Sequence, residues 1–141
     1  ETTDDAIVLK KLDALNIEKK ILKLIKNKSI KIVARSIFLQ GLLFKDKEFL
    51  FVNFKNIKKK YLEILKIANY EKVSLGELSL IWAFNLKQID NIVIGIDSLK
   101  HLKHNLTILK KKISKKSLLQ LQKINLNNNQ IINPNLWKIK Q

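Results

Sequence analysis

The stretch that decides the fold is IVARSIFLQGLL, at residues 32–43. Its first half is a run of apolar and β-branched residues typical of a buried strand, and it leads into Gly41, where the backbone can turn close to a ligand. Further along, a second apolar run, IVIG at 92–95, also ends in glycine, and a helix is predicted from Leu99 onward. Two strands of the parallel type, each opening toward a helix, predict an α/β protein that binds a phosphate or a nucleotide.

Apolar periodicity and capping residues extend this prediction along the chain. Strands that alternate with helices indicate a parallel sheet, and no domain boundary interrupts residues 1–141. The predicted elements are a strand at 6–9, a helix at 14–28, a strand at 30–39, a Phe-rich loop at 44–54 that packs on the rim, helices at 56–69 and 74–86, a strand at 92–96, helices that begin at Ser98 and Ser114, a polar break at 125–129 and a tail that wraps back through Trp137.

The same patterns predict which side chains face inward. Ser74 and Glu77 have the spacing of a capping box at a helix start. In the helix at 56–69 the predicted inward side chains are Ile57, Tyr61, Leu62, Ile64, Leu65 and Ala68, and in the helix after Ser98 they are Leu99, Leu102, Leu106 and Leu109.

Four motifs, in order, resemble the aldo/keto reductase family. They are RSIFLQGLL at 35–43, ELSLIW at 77–82, IGIDS at 94–98 with Leu102 and Asn105 behind it, and INPNLW at 132–137. The last is similar to the tail of one bacterial branch of the family. The resemblance implies an α/β fold, the C-terminal half of a TIM (β/α)8 barrel, in which parallel strands alternate with helices before a C-terminal helix and tail.

The chain is shorter than the fold that it resembles. A complete (β/α)8 barrel takes about 250 residues, and this chain has 141. It also contains no methionine. We therefore expect a single partial domain, either the C-terminal part of a longer protein or the remnant of one, whose exposed sheet edges favour homo-oligomers.

The resemblance implies a site for a nicotinamide cofactor, NADP or NAD. In the family the loop after the seventh strand contacts the pyrophosphate, and the loop and helix after the eighth contact the adenosine half. Residue by residue, the first group is Ser36, Phe38, Gln40 and Gly41, and the second is Gly95, Ile96, Asp97, Ser98, His101 and Asn105. Arg35 is a further candidate cofactor residue. Family habit favours NADPH, whereas the acidic Asp97 suits the free 2′-hydroxyl of NADH; Lys100 and Lys103 stand nearby to offset it.

Most of these residues also have a simpler interpretation. Ser98 is a good helix cap, Phe38 is a typical core residue, and His101 and Asn105 are ordinary helix positions. Arg35 stands where the family often has an aromatic that stacks on the nicotinamide, and a guanidinium can stack likewise; the alternative is a salt bridge at the rim.

The sequence predicts no catalytic residue and no metal site in this chain. The family's catalytic Asp, Tyr, Lys and His lie in the first half of the barrel, and nothing here matches them. Tyr61 and Tyr70 fall on or after a helix instead of at a strand end, and we expect His101 and His104 to have no carboxylate partner. A parent enzyme would reduce a carbonyl substrate; whether this chain is enzymatic stays open, and an interaction module is the alternative.

The net charge of +16 invites a nucleic-acid interpretation, which we consider weaker. Arg35 is the only arginine among the 28 strong bases, although nucleic-acid sites favour arginine for bidentate contacts. The excess of lysine suits an AT-rich coding sequence, and the lysines fall on the polar faces of amphipathic helices. We therefore expect no nucleic-acid partner. With no cysteine and no apolar run of about 18 residues, we also expect no membrane partner and a cytoplasmic location.

Overall fold

The computed structural model describes residues 31–54, 57–87, 89–124, 131 and 133–138. The predicted strand at 6–9, the helix at 14–28 and the polar break at 125–129 lie outside the described residues.

Within this part of the chain, two short strands pair in parallel. Strand β1 (Val33–Ala34) lies beside β2 (Asn91–Ile92), with Val33 opposite Asn91 and Ala34 opposite Ile92. The backbone N–H of Val93 continues the pairing and donates to the carbonyl of Ala34 at 2.8 Å. The parallel arrangement was predicted, but both strands are much shorter than the predicted ranges of 30–39 and 92–96.

Backbone conformation explains why β1 ends early. Ser36, Leu39 and Gln40 have φ angles of 55°, 47° and 51°, and this left-handed region is incompatible with an extended strand. The chain instead turns into a short 3₁₀ segment, Leu39–Phe44. The hydroxyl of Ser79 donates to the carbonyl of Ile37 at 2.7 Å and ties the turn to the helix behind it.

Helices make up most of the described structure. They are α1 (Lys47–Asn53), α2 (Lys58–Tyr70), α3 (Leu75–Phe84), α4 (Leu99–Ile108) and α5 (Lys115–Lys123), followed by a 3₁₀ turn at Pro134–Leu136. The four helices predicted after residue 55 are confirmed. None of the described helices is long and apolar enough to cross a membrane.

The prediction of a loop at 44–54 is wrong, because α1 occupies most of this segment. Asp46 starts this helix: its side chain accepts a hydrogen bond from the backbone N–H of Phe49 at 2.7 Å. Leu50 and Phe54 are buried there, whereas Phe44 is 64% exposed. The Phe-rich segment therefore forms a helix, and some of its phenylalanines are buried while others are exposed.

Capping serines begin three of the helices as predicted. Ser74 and Glu77 form the capping box of α3. Ser98 caps α4 by accepting from the N–H of His101, and Ser114 caps α5 by accepting from the N–H of Ser117. These side chains satisfy N–H groups that have no partner inside the helix.

Two apolar clusters hold the described residues together. The larger joins α2, α3 and α4 and contains Ile67, Ala68, Val73, Leu78, Leu80, Ile81 and Ile108. The smaller contains Leu42, Leu50, Phe54, Ile57 and Ile131, and the ring of Trp137 meets that of Phe54 at 5.6 Å. The tail thus packs back on the domain through Trp137, as predicted.

The inward faces of the helices differ in part from the prediction. Leu99, Leu102 and Leu106 are exposed at 65%, 37% and 53%, and Leu62 on α2 is exposed at 39%. The reason for α4 is its orientation: it contacts α3 through the face that carries Ile108, which is 2% exposed. Leu109 packs against the larger cluster as predicted, whereas Leu99, Leu102 and Leu106 are turned away from that contact.

A carboxylate links the end of α2 to the start of α5. Oε1 of Glu71 accepts hydrogen bonds from the N–H and the hydroxyl of Ser114, at 3.1 and 2.6 Å, and from the hydroxyl of Ser117 at 2.5 Å. The bonds from Ser114 and then Ser117 lower the pKa of Glu71 below its ordinary value of 4.5. Because the charged form is favoured in the folded state, this carboxylate stabilises the fold when it is ionised.

We expect Glu71→Gln to lower the free energy of unfolding at neutral pH by about 1 kcal/mol, since a neutral amide accepts weaker hydrogen bonds than a carboxylate. The stabilisation is present above the unfolded pKa and is lost as the pH falls through the lowered folded pKa, so native and variant should converge below pH 4.5. Urea unfolding of the native chain and the variant at several pH values measures the difference in their free energies of unfolding. Glu63→Gln, which removes a surface pair with Lys60 at 3.5 Å, is the control and should change little. A difference that persists unchanged in acid would contradict the assignment.

Candidate functional site

The two loops singled out in the sequence leave the same edge of the sheet. Since β1 and β2 are parallel neighbours in register, residues 35–41 and 93–98 both start at the carboxyl ends of the strands. That edge is where ligands bind in sheets of this type. The pairing thus brings the two loops, at 35–41 and 93–98, to one edge of the sheet.

The first loop offers polar groups on a tight turn. Arg35, Ser36 and Gln40 are exposed, and Gly41 has a φ of 84°, which a residue with a Cβ adopts only with strain. Phe38 differs from them, because it is half-buried, packs against the larger apolar cluster and meets the ring of Phe44 at 5.2 Å. Its position favours the core interpretation over the ligand wall.

The second loop is open to solvent. Gly95, Ile96, Asp97 and Ser98 are all exposed, and a Cβ built on Gly95 would have no heavy atom within 4 Å. The chain therefore leaves room for a ligand to approach this backbone closely. Asn105 lies two turns into α4 and is half-buried.

The start of α4 has the chemistry that a phosphate requires. The hydroxyl of Ser98 accepts from the N–H of His101 at 3.2 Å, and a hydroxyl has one hydrogen of its own to donate. The N-terminus of a helix also carries partial positive charge. Lys100 and Lys103 add two full charges in the first turns. These residues fit the phosphate groups of a nicotinamide cofactor.

Asp97 and His101 form a pair that sequence reasoning missed. Oδ1 of Asp97, in the loop before the N-cap of α4, contacts Nδ1 of His101 on the first turn of that helix within hydrogen-bond distance. The expectation that His101 has no carboxylate partner is therefore wrong. Asp97 precedes the N-cap Ser98, whose backbone is extended, so the rule that positions i and i+4 are neighbours within a helix does not predict this contact.

His104 also has a carboxylate partner, contrary to expectation. Its Nε2 lies 3.0 Å from Oε1 of Glu77 on α3, while Oε2 of Glu77 accepts from the N–H of Ser74 at 2.7 Å. Glu77 therefore completes its own capping box and joins α3 to α4. No local pattern predicts this contact, because the two residues lie on different helices.

The two tyrosines of the sequence, Tyr61 and Tyr70, both lie on the helix α2, as predicted. The described residues contain no group of three or more His, Cys, Asp or Glu side chains able to hold a metal ion.

A separate groove lies between α2 and α5, with a volume of about 480 Å³. Lys66 and Tyr70 form one wall, and Lys116 and Lys123 form the other. None of the predicted cofactor residues lines it. The groove is therefore distinct from the two loops at 35–41 and 93–98.

Comparison with known proteins agrees with the resemblance described above. No curated protein matches the chain. The aldo/keto reductase family model matches residues 6–126, which is most of the length of this chain. The chain belongs to the aldo/keto reductase family.

Proposed function

We propose that this chain is the C-terminal, cofactor-binding part of an NAD(P)H-dependent aldo/keto reductase that reduces a carbonyl to an alcohol. The observation that carries the proposal is the common edge from which residues 35–41 and 93–98 emerge, next to the N-terminus of α4. In a member of this family, that edge is suited to hold the phosphate-bearing end of the cofactor.

Each loop has a distinct part in the proposal. Ser36, Gln40 and Gly41 bind the pyrophosphate. The guanidinium of Arg35 stacks on the nicotinamide ring. Ser98 and Asn105 bind the adenosine end. When bound, the cofactor supplies the hydride that reduces the carbonyl. The proton donor is a tyrosine outside this chain, because Tyr61 and Tyr70 lie on α2.

We expect the purified 141-residue chain to bind the cofactor without turning it over. Calorimetric titration with NADPH and NADH measures binding, and absorbance of the reduced nicotinamide in the presence of carbonyls measures turnover. Because Ser98 and Asn105 are proposed to bind the adenosine end, 2′,5′-ADP should compete with the cofactor more strongly than nicotinamide mononucleotide does. Failure to bind either dinucleotide at millimolar concentration would refute the proposal, as would steady turnover that is lost on mutating a residue of this chain.

An interaction module is the second candidate, and one observation favours it. Val93, Leu99 and Leu106 expose apolar side chains at 53%, 65% and 53%, next to a strand that has one partner among the described residues. Large apolar side chains left exposed in this way can be covered by contact with another chain. Light scattering in the same experiment separates the candidates, because self-association without cofactor binding supports the module alone.

A further inference from the structure

We infer that the groove between α2 and α5 binds a small anion that carries two phosphate groups. The groove has a volume of about 480 Å³, within the range of about 300–1,000 Å³ that is typical of ligand pockets. None of the proposed cofactor residues lines it. The inference therefore goes beyond the proposed function and does not depend on it.

Helical spacing places the lining residues of each wall on one face of its helix. On α5, Lys116, Gln120 and Lys123 stand four and then three residues apart. On α2, Lys66 and Tyr70 stand four residues apart. Residues at these spacings share a face. Positive charge therefore borders the groove on both walls.

The positive charge of the groove is not neutralised by acidic side chains within the described part of the chain. The ion pairs found there involve none of Lys66, Lys116 and Lys123. Glu63 also lines the groove, but it pairs with Lys60 at 3.5 Å. Like charges around one groove repel each other. An anion bound between the lysines would remove this repulsion and stabilise the folded chain.

The type and spacing of the basic side chains indicate the ligand. Lysine binds phosphate as a point charge, whereas carboxylates are matched best by the fork of arginine. Lys116 and Lys123 are seven residues apart, which is about 10 Å along a helix at about 1.5 Å per residue. Two phosphates on one molecule can occupy both ends, with Lys66 on the opposite wall. Ile67 and Ile124 offer apolar surface between them.

A hydrogen-bond network fixes the two walls to each other. Oε1 of Glu71, directly after α2, accepts from the hydroxyls of Ser114 and Ser117 at the start of α5, at 2.6 and 2.5 Å. Ser117 is 1% exposed, so this end of the contact is buried. Glu71 itself does not line the groove. The walls are thus positioned before a ligand arrives, which lowers the entropic cost of binding.

The test is calorimetric titration of the purified chain with fructose 1,6-bisphosphate, fructose 6-phosphate, inorganic tripolyphosphate and citrate. Low salt is used because exposed charges are screened. We expect the bisphosphate to bind about threefold or more tighter than the monophosphate, since it gains a second charged contact. Tripolyphosphate separates the two sources of the ligand: tighter binding of tripolyphosphate than of the bisphosphate indicates an inorganic polyphosphate, and the reverse an organic bisphosphate. Citrate binding as tightly as the bisphosphate, or no advantage over the monophosphate, would overturn the inference.

A triple variant locates the binding in the groove. Lys66→Gln, Lys116→Gln and Lys123→Gln together should raise the dissociation constant for the bisphosphate about tenfold, because each exposed charge contact contributes a few-fold. Thermal unfolding is the second measurement. The bisphosphate should raise the melting temperature of the native chain but not of the triple variant. Without ligand the variant should melt no lower than the native chain, since it has lost the repulsion, and a lower melting temperature would contradict the inference.

A matched control removes the same amount of charge elsewhere. Lys31, Lys87 and Lys138 are exposed and do not line the groove. Changing all three to glutamine should leave the dissociation constant for the bisphosphate within about twofold of the native value, because distant exposed charges are screened. An equal loss of affinity in the two triple variants would mean that the anion responds to net charge alone, and it would overturn the inference.

Discussion

Replacing Ser98 with alanine should raise the dissociation constant for NADPH about ten- to a hundredfold. The hydroxyl is proposed to donate to the 2′-phosphate, and a hydrogen bond to a charged group contributes about 1.5–3 kcal/mol. The effect on NADH should be smaller, because its 2′-hydroxyl is neutral. Asn105→Ala should also have a smaller effect, since adenine carries no charge. Calorimetric titration of each variant with both cofactors measures these differences.

Ser98 also caps α4, and the controls must separate the two roles. Ser114 caps α5 in the same way and is bonded to Glu71 besides, so Ser114→Ala should lose at least as much stability as Ser98→Ala. It should nevertheless bind NADPH like the native chain. Ser98→Thr keeps a hydroxyl for both roles and should retain affinity. If Ser98→Ala binds NADPH normally while its unfolding free energy falls, Ser98 is a helix cap only.

The helices were predictable because their ends are marked locally. Ser74, Ser98 and Ser114 each stand directly before an apolar periodic stretch, and each accepts a backbone hydrogen bond where the pattern predicts a cap. Asp46 has the same role at α1. It was missed because the closely spaced phenylalanines behind it did not indicate a helical period.

Strand length was less predictable than strand position. The apolar run at 32–39 predicts a continuous strand, yet β1 contains two residues. The turn that ends it depends on left-handed backbone at Ser36 and Leu39, and neither residue type favours that conformation. Tertiary contacts hold it instead, among them the bond from Ser79 to the carbonyl of Ile37. Contacts between residues so far apart leave no local pattern.

The candidate site likewise combines features that have a local sequence pattern with features that depend on tertiary packing. The motifs located both loops, whereas the contact of Asp97 with His101 depends on how the loop enters α4 at the extended N-cap Ser98. The contact of Glu77 with His104 depends on how α3 packs against α4, which hydrophobic periodicity did not predict. The leucine stripe of α4 indicated an inward face, but of its four leucines Leu109 packs against the larger cluster and the other three are exposed, while Ile108 is buried.

Two substitutions on α4 should therefore differ sharply in their effect on stability. Ile108 is 2% exposed and belongs to the larger apolar cluster, so Ile108→Ala should lower the free energy of unfolding by about 2–5 kcal/mol through lost burial and the cavity that remains. Leu106 is 53% exposed two residues earlier, and Leu106→Ala should change stability by at most about 0.5 kcal/mol. Denaturant unfolding of the isolated chain, with equal slopes for all variants, measures both. If Leu106→Ala costs as much as Ile108→Ala, the leucine stripe is buried, and the inward face predicted from the sequence is the correct one.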